Sequence, residues 1–157
     1  MYCNHKQKYT QVGKYAGNVD KGIMPLIKAI WKIPVGVEDS CEAVRNDGIM
    51  IRFCCPHCAD GFLDAIEKMD NHTAGSLYHR AVCDDNTCPN NWYFQQLLYQ
   101  INPLDVGAKP IYSGSVVYIF PKSDYPEVLR RVQAYQIAPS FNKGVVSSSR
   151  GKGGCHV

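Results

Sequence analysis

Apolar residues along the middle of the chain recur with helical and strand periods in turn. Ile23, Leu26, Ile27, Ile30 and Trp31 fall at helical spacing, with Pro25 near the start and Pro34 as a stop, and predict a first helix. Val35 and Val37 then open a hairpin whose turn is Asn46-Asp47-Gly48. Its second strand alternates Ile49, Ile51 and Phe53 with Met50 and Arg52, which turns Arg52 away from the core. A second helix is predicted from near Asp60, burying Phe62, Leu63, Ile66 and Met69 on one face. The same order recurs further on. Asn90 or Asn91 caps a helix carrying Trp92, Leu97, Leu98 and Ile101, ended before Pro103. Ile111-Tyr112, the turn Ser113-Gly114 and the run Val116-Val117-Tyr118-Ile119-Phe120 form another hairpin. Asp124-Tyr125-Pro126-Glu127 then starts a closing helix that buries Val128, Leu129, Val132 and Tyr135.

These elements predict an α+β fold in which two helix-hairpin-helix units share one mainly antiparallel sheet of about four strands, with helices on one face. Residues 20–138 are read as a single domain: unit one at 20–70, a cysteine-containing linker at 71–90, and unit two at 91–138. Residues 1–19 are polar without a period and are expected to be a tail. Residues 139–157 are Gly/Ser-rich and basic, and are read as a flexible C-terminal tail. A chain of 157 residues suits one such domain.

Charge adds a segregation that the net +3 conceals. Residues 1–35 hold six lysines against Asp20, residues 36–105 hold eleven acids against four bases, and residues 106–157 hold seven bases against two acids. The basic ends either fold back over the acidic middle or stay solvated, or they serve as contact surfaces for a protein or nucleic-acid partner or a small anionic ligand.

Eight cysteines supply the candidate chemistry. No apolar stretch suits a membrane span or a signal peptide, so the chain is expected to have no membrane contact and to be cytoplasmic, where paired thiols hold metal more often than they form disulfides. Cys55-Pro56-His57-Cys58, followed by Cys83 and then Cys88-Pro89, has the spacing of a structural zinc site. The expected ligands are Cys55, Cys58, Cys83 and Cys88, with Cys54, His57, His72 and His79 as substitutes. Four thiolates close the coordination sphere, and the ion would staple the linker. Buried thiols, disulfides and a catalytic metal are the alternatives.

Ser40-Cys41-Glu42 marks Cys41 as a candidate nucleophile, set against the plainer reading of a small buried thiol. Common phosphate-loop, nucleophile-elbow, metalloprotease and dinucleotide-binding motifs are missing, which favours a non-catalytic protein. Arg52, Arg80 and Tyr112 are candidates for contacting phosphate and base.

The segment Gly22 to Trp31, with Ser40-Cys41-Glu42 and Ile49-Met50-Ile51-Arg52-Phe53, resembles small uncharacterised proteins of bacteria and their phages. Ser40-Cys41 alone is similar to the Ser-Cys segment of archaeal wybutosine-synthesising methyltransferases; Glu42, Ala43 and Val44 depart from that pattern. The first resemblance implies a phage or bacterial setting, with the host cytoplasm as the compartment if phage-encoded. The expected function is a zinc-binding interaction module, one form being an inhibitor or a sponge for a small signalling nucleotide. The alternatives are a subunit of a nucleoprotein or virion assembly, and an RNA- or nucleotide-modifying enzyme using Cys41. A homo-oligomer is compatible with each.

Overall fold

Pro25 sits in the first turn of α1 (Met24–Lys32), where its missing N–H costs nothing, and Leu26, Ile27, Ala29, Ile30 and Trp31 form the buried stripe. The computed structural model describes residues 5–45, 47–83, 88–100 and 112–137. After α1 the chain makes the expected hairpin, β3 (Val37–Val44) and β4 (Gly48–Phe53). Its turn residue Asn46 lies outside the described residues. Helix α2 (Pro56–Glu67) follows at once, then a short α3 (Leu77–Val82), β5 (Tyr93–Gln100), β6 (Tyr112–Pro121), one 3-10 turn (Lys122–Asp124) and α4 (Tyr125–Ile137). The four strands pair antiparallel in the order β3-β4-β6-β5.

One face of this sheet supplies Ile49, Ile51, Phe53, Val116, Tyr118 and Phe120 to the core. The helices add Leu26, Ile27, Ile30, Phe62, Ile66, Val128 and Val132, all buried. Phe53 lies 5.1 Å from Phe62 between ring centroids, and Trp92 stacks on Phe120 at 4.7 Å. Arg52 belongs to the opposite face, as its place in the alternation requires. Among the described residues, no helix is long and apolar enough to cross a membrane.

Several expected elements take another form. The helix expected near residues 91–101 is strand β5, which pairs residue for residue with β6 from Tyr93↔Ile119 to Gln100↔Tyr112. Helical spacing of Leu97 and Leu98 loses here to the continuous ladder, and Ile101 lies outside the described residues. Ser113-Gly114 lies inside β6 instead of forming a turn, so the second half is not helix-hairpin-helix. α2 starts at Pro56, ahead of Asp60, and Met69 lies beyond its end, 45 % exposed. Part of the N-terminal stretch read as a tail is a hairpin, β1 (Gln7–Val12) with β2 (Tyr15–Asp20), turned at Gly13 with φ +59°. Its strands are polar because most residues on both sides are exposed or half-buried, with only Thr10, Val19 and Asp20 buried. Fully buried Asp20 anchors it, accepting from Gln7 Nε2 and from the Glu42 N–H, both at 3.0 Å.

The helical layer is locked by Arg131 on α4, which donates to the Ile66 carbonyl and to Asp70 Oδ2 at 2.6 Å each and to Glu127 Oε1 at 2.7 Å. Burial alone would raise the Asp70 carboxyl. Hydrogen bonds from Ser76, the Tyr78 N–H, Arg131 and the His72 N–H more than reverse that, holding it well below the usual range. Arg130 and then Arg131 hold Glu127 down to about 2. Both carboxyls bind protons less readily folded than unfolded. Their contribution is therefore complete above the unfolded values of about 4 and is lost as pH falls through the folded ones. The melting temperature of metal-free protein is expected to be level from pH 7 to about pH 5 and to fall steeply below about pH 4. Thermal melts of Asp70→Asn against wild type check this, since the variant should show a shallower acid limb.

Candidate metal centres

β4 runs straight into the first centre. Cys54 follows its last residue, and Cys55 is the N-cap of α2 with extended backbone, its sulfur accepting from the Cys58 N–H at 3.4 Å. Pro56 occupies the first turn, where a helix tolerates it, so the chain bends sharply and returns Cys58 towards the strand. Cys54 Sγ and Cys58 Sγ lie 3.4 Å apart. All three sulfurs fall within 4.8 Å of one another. Two thiolates, each about 2.3 Å from a tetrahedral zinc, are separated by about 3.8 Å, whereas a disulfide needs about 2.05 Å. The observed spacing excludes a disulfide between Cys54 and Cys58 and is compatible with a shared metal ion.

Gly36, just ahead of β3, closes this centre. Its carbonyl accepts from the Cys54 N–H at 3.3 Å, and its own N–H donates to Cys58 Sγ at 3.4 Å. Burial pushes the Cys58 thiol up; the Gly36 N–H and Cys54 oppose the rise and Cys55 adds to it. A Cβ at Gly36 would stand 2.7 Å from Cys54 Sγ and 3.6 Å from Cys58 Sγ. Gly36→Ala is thus expected to displace Cys54 and weaken metal binding by about tenfold or more with every ligand present. Competition with a chromophoric chelator measures the change.

The second centre is built on α3. Ser76 caps the helix through the His79 N–H at 3.2 Å, His79 lies one turn before Cys83, and the Cys83 N–H closes on the His79 carbonyl at 2.9 Å. Cys83 Sγ and Cys88 Sγ are 3.5 Å apart, and His79 completes a group within 4.8 Å. His79 Nδ1 accepts from the Gly75 N–H at 3.3 Å, a bond that a metal on this nitrogen would replace. His79 and Cys88 also line a cavity of about 590 Å³ with Arg80, Asn90, Ser123 and Asp124.

The four cysteines expected to share one ion are thus brought together two by two. Cys55 and Cys58 join Cys54, and Cys83 and Cys88 join His79. Cys54 and His79 were visible only as substitutes. His57 and His72 enter neither group.

The remaining candidates lie outside these two groups, except that Arg80 adjoins His79. Cys41 is 2 % exposed and disulfide-bonded, so it presents no thiol for nucleophilic attack. A third group, His5, Asp20 and Cys41, contains that oxidised sulfur and the hydrogen-bonded Asp20, and reads as structural. Arg80 is a strut: Nη1 and Nη2 grip Asp124 at 2.6 and 2.9 Å, Nε reaches the Gly75 carbonyl at 3.2 Å, and Nη1 reaches that of Asn90 at 3.4 Å. Arg52 is half-buried on β4 opposite Val117 and does not line the cavity. Tyr112 pairs with Gln100 at the start of β6, and its side chain lies outside the described residues. The chain matches no protein-family model, no curated protein and no solved structure.

Proposed function

We propose that this chain is a non-catalytic, zinc-binding interaction module in which one ion fixes the junction of β4 with α2 and a second orders the segment between α2 and β5. The observation that carries this reading is the pair of sulfur–sulfur separations, 3.4 Å in one group and 3.5 Å in the other, each with a third soft or imidazole ligand. Thiolate with imidazole selects zinc over harder divalent ions. The segment needs such help. Among its described residues only Leu77 and Ala81 are buried in the core between Ile66 and Trp92, with Tyr78 packed against it, and a six-residue helix does not sustain itself. The metals act as staples and the sheet acts as the platform for a protein partner. A phosphate-binding role for Arg80 is disfavoured, because its guanidinium is already committed to Asp124.

Hydrogen exchange on reduced protein, zinc-loaded against chelated, tests the reading. Residues 74–83 and 88–92 should exchange much faster after chelation, while β4 and β6 keep their protection. Equal exchange in both states would contradict it.

A further inference from the structure

The two edges of the four-stranded sheet are built differently. β3 carries Glu38, Asp39 and Glu42, and its pairing with β4 breaks register twice. Acids and bulges are the devices that keep an edge strand from recruiting another. β5 at the other edge reads Tyr-Phe-Gln-Gln-Leu-Leu-Tyr-Gln, with no charge and no proline, and it pairs with β6 without a break. Its only strand neighbour among the described residues is β6. Leu98 is 74 % exposed, Phe94 47 %, Tyr99 44 % and Tyr93 41 %. An uncharged, regular, apolar edge left open is an aggregation site unless something pairs with it.

We propose that the β5 edge is a dimer interface between two copies of this chain, joined antiparallel about a two-fold axis at Gln96. The strand is self-complementary in that register. Tyr93 of one copy faces Tyr99 of the other, Phe94 faces Leu98, Gln95 faces Leu97, and Gln96 faces itself; each unlike pair occurs twice. Directly opposed residues share a face, so Phe94 and Leu98 form an apolar row that continues from Tyr118, whose ring lies 5.3 Å from that of Phe94. The tyrosines pair on the other face. All four exposed apolar side chains find an apolar partner, and the one charge beside them, the Arg45 guanidinium 4.8 Å from the centre of the Tyr93 ring, is on an exposed residue, which makes a second copy the fitting occupant. The axis runs through the sheet, so both helical layers lie on one side of a continuous eight-stranded sheet. A single strand edge is a small interface, and the dimer is expected to form at micromolar concentration.

Sedimentation equilibrium of the full-length, metal-loaded protein tests this. Wild type should pass from monomer to dimer with concentration. Leu98→Lys, at an exposed position, should weaken self-association at least tenfold without altering circular dichroism. The double variant Phe94→Glu/Leu98→Lys should restore it, because the register sets the two substituted positions opposite each other twice. Tyr93→Glu/Tyr99→Lys repeats that rescue on the other face, measured against Tyr99→Lys alone, should loss of the Phe94 ring disturb folding. A wild-type chain that stays monomeric at high micromolar concentration, an undiminished dimer in Leu98→Lys, or failure of the rescue in the folded double variants would overturn the proposal.

Discussion

Cys55→Ser is expected to remove one of two metal ions from each chain and to lower the melting temperature of the zinc-loaded protein by roughly 10 °C. Cys55 has two roles that serine separates. As N-cap of α2 it accepts from the Cys58 N–H, and serine does this as well or better. As a thiolate within 4.8 Å of Cys54 and Cys58 it completes the first centre, which serine does not. Zinc present at 100 to 1,000 times its dissociation constant stabilises by about 3–4 kcal/mol. For a chain of this size that corresponds to roughly 10 °C. In chelated protein the sign changes: the variant should melt at the wild-type temperature or slightly above it. Paired melts with and without zinc, each with a metal assay, check both halves. An equal loss in both states would make Cys55 a packing residue.

Asp124→Ala is expected to cost about 3–5 kcal/mol, as much as truncating a fully buried core phenylalanine. Asp124 is 8 % exposed and accepts three hydrogen bonds, two from Arg80 and one from Trp92 Nε1 at 2.9 Å. Truncation leaves a guanidinium and an indole N–H without their acceptor in a mostly buried site. The damage extends to the second centre. Arg80 adjoins His79 on α3, and the Arg80 carbonyl accepts from the Trp92 N–H at 2.9 Å, so the same residue aligns α3 with the start of β5. Urea unfolding gives the stability change, and chelator competition should show weaker zinc at one centre only. Asp124→Asn should fall between the two, since its amide oxygen still accepts from one donor.

Where one residue pattern admitted one structure, the fold was legible. Pro25 and the Ile23 to Trp31 stripe define α1, and the alternation through Phe53 defines β4. Tyr93 to Gln100 was different, because its apolar residues suit a helix and only pairing with β6 selects the strand. The hairpin β1–β2 has polar strands and buries little beyond Thr10, Val19 and Asp20, so no periodicity announces it. For the candidate metal ligands, short spacing made each local pair readable, Cys55 with Cys58 and Cys83 with Cys88. How pairs combine depends on the path of the intervening chain. Cys54 joins because β4 ends beside Gly36, and His79 joins because α3, too short to register as a period, sets it one turn before Cys83.

Native mass spectrometry of the reduced protein, purified from cells without chelator, tests the two-centre arrangement most directly. Two zinc ions per chain are expected, one lost in Cys55→Ser and the other in Cys83→Ser. A single ion lost in both variants would mean that Cys55, Cys58, Cys83 and Cys88 share one site after all, and a metal-free chain with intact thiols would contradict zinc binding altogether.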